Sequence, residues 1–490
     1  MRRANSEMAK KSTEDLATFL KRQKSDVLVD VLLELAGQYE GVNDRLERLQ
    51  LADRPDILAA DFRKTLAAWR RSKKFYSYRE SCAFGQELER WLMQVGSELG
   101  PKDPAAALAL FESFIESDAS WFERADDSDG CIGDAMRCAC EQWLEAARRC
   151  ESPPDEWPPR IVALYRADEF GGREALLRHA DLLLGEDGLR LLVAEFEKEM
   201  AQALSSAVGV NKGRAGLPSG FYKLSGALSL LSEALHDPDV LVRSVCSYSP
   251  QPNGLQKESF VVAYLKENRP DDAMRWLTDA WEPQFEGRRQ SLLSDTLARL
   301  GRGQESAQLR QQLFEKTLSV HDYQRWIELL PATSHPEAHE RARQLALVHT
   351  DPCVAAQLLL AIDEARDAET ILTGNAELVD GRRYEALPNM AKALLAKNCF
   401  RGASVLYRAL LNSILERANS VAYGHAARYW WKLKEINASS ETLDPLVSQA
   451  EYEAAVRAKN PRKIGFWAQV NARAERLAVA SDPTHTYREK

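Results

Sequence analysis

The stretch Asn268-Arg269-Pro270-Asp271-Asp272-Ala273 is a polar turn between two helical segments, with an alanine about one turn into the second segment. Three further stretches share this arrangement: Gly301 to Ala307, Glu364 to Ala368 and Asn398 to Ala403. The alanines are 34 residues apart in the first pair and 35 in the second, with a gap of 61 between the pairs. A period of about 34 indicates a repeated helical hairpin.

Alanine at this position has a physical reason, because the second helix of a hairpin crosses the first where only a small side chain fits. Pro336 and Ala342 fit one more unit inside the long gap. In period and in alanine placement, residues 255–417 resemble degenerate tetratricopeptide repeats, although the full consensus of that family is missing. The resemblance implies an all-α, right-handed superhelical solenoid of stacked hairpins with a concave groove. A generic helical bundle with hairpins of similar length is the alternative.

Helical periodicity also dominates outside the repeats. Leu28, Leu32 and Leu35, for example, are spaced as one helical stripe, and Pro55-Asp56 is a typical helix opening. Alternating apolar and polar runs of strand type are almost absent from the sequence. The chain is therefore predicted to be almost entirely α-helical, with roughly twenty or more helices.

The composition is that of a folded protein with a mildly acidic balance. The 490 residues are 45% hydrophobic, with 65 Lys and Arg against 73 Asp and Glu, which gives a net charge of −8. This balance argues against a protein that coats nucleic acid or anionic membranes along its whole length. The charge is uneven, however, since residues 1–80 hold 17 basic against 13 acidic residues and residues 381–490 hold 18 against 10. Both ends therefore stay open to anionic partners.

The sequence shows neither a secretory signal nor a membrane span. No apolar run of about 7–15 residues follows the charged N-terminus, and no stretch approaches the roughly 20 apolar residues of a spanning helix. Eight cysteines in 490 residues are too few for a disulfide-stapled scaffold. We expect a cytoplasmic protein with reduced thiols and no membrane partner.

Glycine- and proline-rich stretches suggest the domain organisation. Ser205 to Gly220 contains four glycines and a proline, which is typical of an exposed loop, and Ser247 to Gly254 contains two prolines. The predicted parts are a flexible N-terminus (1–11), an N-terminal helical-repeat region (12–204), a Gly-rich linker (205–220), a tetratricopeptide-like region (221–476) and a polar tail (477–490).

Three motifs suggest metal sites, and each has a simpler interpretation. Cys138-x-Cys140-x₉-Cys150 resembles three of the four ligands of a SWIM-type zinc finger, but Ser152 occupies the place of the histidine. On one helix, Cys138 and Cys140 would lie about 200° apart, so buried thiols are favoured.

The other two motifs are a histidine pair and an acidic turn. His335 and His339 have zincin spacing, but the glutamate stands one place late, so surface or capping histidines are favoured. The acidic turn Asp126 to Gly130 is similar to the start of a calcium loop, but Arg137 occupies the place of the closing glutamate. We expect that turn to cap the helix beginning near Cys131. No metal ligand, cofactor or catalytic residue is predicted, and we expect a non-enzymatic protein.

Two further segments support a weaker resemblance. Asp126 to Gly130 running to Ala147, and Tyr423 to Tyr429 running to Trp467, are similar to an uncharacterised bacterial family of helical-repeat proteins, some of which accompany SWIM-type zinc fingers. The resemblance touches most of the chain, but it implies no known activity and no metal site here.

The leading functional hypothesis is a scaffold that holds a segment of a protein partner in the concave groove of the solenoid. The candidate partner-binding residues are Tyr407, Arg408, Tyr423, His425, Arg428 and Tyr429. His425, Arg428 and Tyr429 stand at i, i+3 and i+4 and would share one helix face, whereas Tyr423 falls about 200° from His425. An ordinary packed or solvated helix face is the alternative interpretation of the trio.

The second hypothesis is a regulator that binds nucleic acid through its basic ends. Trp69 to Arg79 and Arg457 to Trp467 both combine cations with aromatic rings, which can neutralise phosphates and stack on bases. The candidate contacts are Arg70, Arg71, Lys73, Lys74, Tyr76, Arg462 and Lys463. Basic residues that complement a helix dipole beside packed tryptophans are the simpler explanation.

Overall fold

The structure is a computed structural model that describes residues 16–51, 53–208, 220–439 and 443–480. These residues contain no β-strand, only an isolated bridge between Tyr76 and Ala125. The all-α prediction is therefore confirmed. The predicted flexible N-terminus (1–11) and most of the predicted linker (205–220) and polar tail (477–490) lie outside the described residues.

The chain divides into two compact units, Met1–Pro252 and Asn253–Lys490. The division falls inside the proline-containing stretch Ser247 to Gly254. The helices on either side of the predicted linker (205–220), Glu186–Val208 and Phe221–Ala234, pack against each other inside the first unit.

The helices of the first unit are α1 (Ser25–Gln38), α2 (Glu40–Gln50), α3 (Pro55–Arg71), α4 (Tyr78–Gln94, continued by a π-helical turn, Val95–Leu99), α5 (Pro104–Ile115), α6 (Asp118–Phe122), α7 (Cys131–Arg149), α8 (Trp157–Arg166), α9 (Ala175–Arg178), α10 (Glu186–Val208), α11 (Phe221–Ala234) and α12 (Pro238–Tyr248).

The helices of the second unit are α13 (Gly254–Lys266), α14 (Pro270–Arg275), α15 (Glu286–Arg299), α16 (Gly303–Thr317), α17 (Val320–Leu329), α18 (His335–Leu347), α19 (Pro352–Ala361), α20 (Ala365–Gly374), α21 (Leu387–Ala396), α22 (Phe400–Glu416), α23 (Tyr423–Ser439), α24 (Gln449–Lys459) and α25 (Ile464–Ala480).

Helix α7 is the centre of the first unit and packs extensively against α4 and α5. Met136, Ala139 and Trp143 on this helix have no exposed surface. The acidic turn before it caps its N-terminus, because the Asp127 carboxylate accepts the N–H groups of Ile132 at 2.7 Å and Gly133 at 3.0 Å. The predicted capping role is confirmed, since these are backbone donors without partners inside the helix.

The expectation of reduced thiols is wrong for two cysteines. Cys82 in the second turn of α4 and Cys131 at the start of α7 form a disulfide, with their Cα atoms 5.0 Å apart. Packing of α4 on α7 brings them together: a side chain at Gly85, one turn after Cys82, would collide with the backbone of Cys131. Because the two cysteines are 49 residues apart, the sequence gives no local signal for their pairing.

Four hairpins of the second unit share one turn geometry. Asn268, Gly301, Asp363 and Asn398 all have left-handed φ values, between 54° and 75°. The N–H of the following residue donates to a carbonyl five residues earlier, at 2.8–2.9 Å in each case. This is the Schellman ending of a helix, which glycine, asparagine and aspartate tolerate best. The recurring polar residues of the repeat are therefore helix stops.

The repeat alanines are buried. Ala273, Ala342, Ala368 and Ala403 have no exposed surface, and Ala307 is 8% exposed. Extensive contacts in this unit join helices that are one or two places apart in sequence, as in α21 with α22 and α20 with α22. Each hairpin therefore packs mainly on its neighbours, as in a helical-repeat array.

Helix α1 differs from the expectation. Its apolar stripe of Leu28, Leu32 and Leu35 predicts a face turned to a core, yet no residue of the helix is buried. No helix in the described ranges combines the length and the apolar character that crossing a membrane requires.

Candidate functional site

The six candidate partner-binding residues lie on α22 and α23, which pack against each other. Helix α22 is among the most buried of the second unit, because its neighbours α20, α21 and α23 all contact it. The structure separates five of the six residues into three groups, and Tyr423 lies apart from them.

Tyr407 and Tyr429 form the first group and stack across the α22–α23 interface. Their ring centroids are 5.7 Å apart and the ring planes are inclined by 29°. Tyr407 is buried and Tyr429 half-buried, and burial raises the pKa of both phenols. This pair is part of the packing between the two helices.

The second group is exposed on α23. The Arg428 guanidinium donates to Nδ1 of His425 at 2.8 Å, and both side chains are exposed. His425 and Tyr429 line a cavity of about 450 Å³ together with Tyr384 and Arg417. We call this the His425 cavity. Tyr423 points elsewhere, towards Phe466 on α25, with ring centroids 6.1 Å apart.

Arg408 stands alone as the third group. Its side chain is buried, with Nη2 donating to the carbonyl oxygen of Val447 at 2.9 Å and the guanidinium carbon 4.5 Å from the centre of the Tyr452 ring. Its Nε has no hydrogen-bond partner among the described residues. Burial lowers the pKa of Arg408, and Tyr452 opposes this shift. No carboxylate of the described chain is paired with it.

The missing carboxylate distinguishes Arg408 from the other two buried arginines of the described residues. Arg173 in the first unit pairs with Asp118 at 2.7 Å. Arg310 in the second unit pairs with Asp295 at 3.0 Å and Asp322 at 3.4 Å. A buried charge without a counter-charge is costly. A counter-charge for Arg408 would therefore have to come from outside the described chain.

Arg408 lines a groove of about 850 Å³ on one side of α22, which we call the Arg408 groove. Its walls are Val405 and Asn412 on α22, the segment 445–447 and Tyr452 on α24. The phenol of Tyr452 donates to Oδ1 of Asn412 at 2.8 Å, which fixes the ring beneath the guanidinium. Burial is the main cause that raises the pKa of Tyr452.

Sequence reasoning missed this wall because 445–452 is remote from Arg408 in the chain. One local signal was present. Ser448 and Glu451 form a capping box, in which Ser448 Oγ accepts the N–H of Glu451 at 3.2 Å. The Ser-x-x-Glu spacing marks the start of α24 and so places Tyr452 in its first turn.

Gly381 lies between the two hollows and, like Arg417, lines both. A Cβ at Gly381 would overlap the carbonyl oxygen of Ala409 on α22. Only glycine lets the loop between α20 and α21 lie this close to α22. The Arg408 groove and the His425 cavity are therefore neighbouring parts of one surface.

The candidate nucleic-acid contacts of the first unit have varied environments. Arg70 and Arg71 are exposed in the last turn of α3, Arg70 donating to Ser113 Oγ at 3.4 Å and Arg71 to the carbonyl of Ala67 at 3.1 Å. Lys73 is exposed.

Their neighbours Lys74 and Tyr76 have partners within the fold. Lys74 pairs with Glu80 at 3.4 Å, and Tyr76 stacks on Phe84 with ring centroids 3.9 Å apart. Lys74 and Tyr76 therefore take part in local packing, and Arg70 and Arg71 complement the dipole at the end of α3.

The candidates of the second unit also divide. Arg462 is exposed, whereas Lys463 donates to the carbonyl oxygen of Leu415 at the end of α22, at 2.5 Å. Trp467 donates to the carbonyl of Asn460 at 2.9 Å. The Arg457 guanidinium lies 4.6 Å from the Trp467 ring centre.

The sequence motifs for metal sites remain dispersed. His335 and His339 contact different backbone carbonyls, those of Leu330 at 3.2 Å and Ile362 at 2.7 Å. Cys140 is fully buried, while Cys138 contacts Met93 at 3.9 Å. Among the residues the structure describes, no group of three or more His, Cys, Asp or Glu side chains is arranged to hold a metal ion.

Fold and site together define an all-α protein of packed helical hairpins with an arginine-lined groove. The chain belongs to DUF6880, a family of unknown function, whose profile matches residues 17–469. Comparison with the curated proteins and with the solved structures gave no match.

Proposed function

We propose that the protein is a non-enzymatic interaction scaffold whose second unit holds a segment of a protein partner in the Arg408 groove. The observation that carries the proposal is the buried Arg408 without a carboxylate. A carboxylate of the partner, from an aspartate, a glutamate or a chain end, would supply the missing counter-charge and accept hydrogen bonds from the guanidinium.

The lining of the groove favours a peptide over nucleic acid. Glu377, Asp380 and Glu416 line it beside Arg382 and Arg417, so the groove is mixed in charge, and a phosphate backbone would face carboxylates as well as guanidinium groups. Val405 and Leu446 offer apolar contacts, which a mixed peptide can use. A peptide with one acidic residue, apolar neighbours and a basic residue matches this pattern of charge.

The His425 cavity extends the same surface. Beyond the glycine at 381, a longer segment would meet Tyr384, His425 and Tyr429. Rigid aromatic side chains bind with little loss of conformational freedom, which makes them frequent contributors to interface affinity. In this proposal the hairpins form a right-handed superhelical array whose inner helices present the groove.

The proposal can be tested by selecting ligands for the full chain from a library of displayed random peptides. Selected peptides should share an acidic residue or depend on a free C-terminus. Their affinity should fall by about tenfold or more with Arg408→Met, because one partner of a buried charge pair is removed. Arg366→Met is the matched control, since Arg366 is exposed on α20 and should tolerate the change.

The outcomes separate the two functional hypotheses. Failure to enrich any peptide, or affinity indifferent to Arg408, contradicts the scaffold proposal. Binding of single-stranded oligonucleotides that weakens steeply with salt would favour the nucleic-acid hypothesis instead.

A further inference from the structure

The His425 cavity differs in its lining from the neighbouring groove. Leu410 and Ile414 of α22 are its apolar part and are 1% and 7% exposed. The rings of Tyr384, His425 and Tyr429 line it as well. Among the described residues that line this cavity, none is acidic. A lysine or arginine of a partner would therefore find no counter-charge here, and an apolar side chain suits the cavity better.

Two features of the cavity favour an aromatic occupant over an aliphatic one. The Tyr429 ring stacks on Tyr407, with the ring centroids 5.7 Å apart, so it offers an aromatic surface that packing holds in place. The exposed guanidinium of Arg417 can lie over the face of an aromatic ring, an attraction that an aliphatic side chain lacks. The cavity, of about 450 Å³, therefore fits one side chain of phenylalanine, tyrosine or tryptophan.

Exposed apolar side chains border both hollows. Tyr384 lines the cavity and Val447 lines the groove. Leu378 is a chain neighbour of residues that line the groove, and Val421 is a chain neighbour of one that lines the cavity. These four side chains are between 57% and 95% exposed. Exposed apolar side chains that gather in one place mark interaction sites, and one segment that crosses both hollows would lie beside all four.

The geometry of α22 sets the distance between the two hollows. Arg408 and Asn412 line the groove, whereas Leu410 and Ile414 line the cavity. Positions two apart are about 200° apart around a helix, so the hollows lie on roughly opposite flanks of α22. The helix is about 10–12 Å across with its side chains, and an extended chain advances about 3.3 Å per residue. The direct distance takes about three to four residues, and crossing the loop at Gly381, which lines both hollows, adds about one.

We propose that the partner segment is bipartite, with an aromatic residue in the His425 cavity about three to five positions from the acidic residue that Arg408 binds. This inference rests on the proposed function and narrows it to a class of peptide. The acidic residue supplies the counter-charge and the aromatic residue supplies apolar contact area, so neither alone gives the full affinity.

Selection with the full chain tests the spacing. The probe is a library of displayed peptides that have one fixed glutamate and random positions on both sides of it. Phenylalanine, tyrosine or tryptophan should be enriched at one position about three to five residues from the glutamate. In a selected synthetic peptide, moving the aromatic residue next to the glutamate should lower the affinity by about tenfold.

A double-mutant cycle tests where the aromatic residue binds. Tyr384→Ala/His425→Ala removes two exposed rings from the cavity and should lower the affinity for the selected peptide by about tenfold, while far-UV circular dichroism stays unchanged. The same variant should bind a peptide with alanine in place of its aromatic residue as well as wild type does, because a shared contact is lost only once. Tyr222→Ala/His321→Ala is the matched control, since both residues are exposed and lie elsewhere, on α11 and α17.

The results distinguish failure of this inference from failure of the proposed function. Peptides that depend on Arg408 but carry no aromatic residue at a fixed distance from the glutamate, or carry leucine or valine there, overturn the bipartite segment and leave the groove as a binding site. A cavity variant that weakens both peptides equally, or neither, does the same. Failure to enrich any peptide, or binding that Arg408→Met leaves unchanged, overturns both proposals.

Discussion

Replacing Arg408 by methionine should leave the second unit about as stable as before, although the residue is buried. Methionine fills a similar volume with apolar atoms. The substitution loses the hydrogen bond to Val447, a longer one to Gln449 Oε1 at 3.4 Å and the cation–π contact with Tyr452, each about 1–2 kcal/mol or less. It also removes the desolvation cost of a charge that no carboxylate compensates, which is several kcal/mol. We therefore expect a change in the free energy of unfolding within about 1 kcal/mol of zero.

Arg310→Met provides the comparison within the same unit. That substitution leaves Asp295 and Asp322 without their buried cation. Breaking a buried pair typically costs about 3–5 kcal/mol. Here Asp295 keeps Arg325 at 2.9 Å and Asp322 keeps the Thr317 hydroxyl at 2.9 Å, so we expect a loss of about 2–4 kcal/mol.

Urea unfolding followed by circular dichroism measures both variants in one transition, because both positions lie in the second unit. The two-state analysis should be confined to that transition, since the chain has two compact units. A loss above about 2 kcal/mol for Arg408→Met would refute the reasoning, because Arg408 would then be compensated within the fold. An equal loss for both variants would do the same.

Three further predictions concern the second unit and the thiols. Burial raises the pKa of the Asp351 carboxyl, but hydrogen bonds from Arg383 and from two backbone N–H groups together lower it more, so the pKa lies below its usual value. The Asp351 carboxylate therefore stabilises the fold at neutral pH, and this contribution is lost as the pH falls through the lowered pKa. Asp351→Asn should therefore cost about 1 kcal/mol at neutral pH, and the difference from wild type should vanish in acid; a pH-independent cost would contradict this. Gly381→Ala should lower the free energy of unfolding by about 1–3 kcal/mol, because the added Cβ would overlap the Ala409 carbonyl oxygen. Gly374→Ala is the control, since a Cβ there meets nothing within 4 Å. Equal effects of the two substitutions would contradict a close approach of the Gly381 loop to α22. Alkylation of the unfolded, unreduced chain should label the six free cysteines, and labelling of all eight would show that the disulfide is not formed.

The hairpins of the second unit could be predicted because their signals are local. Asn268, Gly301 and Asn398 stop helices through left-handed backbone angles, and the alanines follow at a fixed distance. A repeat needs only such short-range rules, so its period survives in the sequence.

The exposed state of α1 and the disulfide could not be predicted. Spacing indicates that Leu28, Leu32 and Leu35 need a partner surface, but not whether that surface belongs to the same fold. Cys82 and Cys131 meet because α4 packs on α7. These features depend on which elements meet in three dimensions, and a single sequence does not record that.

That Arg310 has carboxylate partners and Arg408 has none could partly be predicted from the sequence, because a stack of hairpins limits which helices can supply a counter-charge. Both arginines lie on the second helix of a hairpin. Next to Arg310, α15 and α17 each carry an aspartate that reaches it. Next to Arg408, α21 has no acidic residue and α23 has only Glu435, which pairs with Lys432. An arginine on a buried face, with no free acidic residue on the helices directly before and after it in the chain, is therefore a signal for a buried cation without a carboxylate partner.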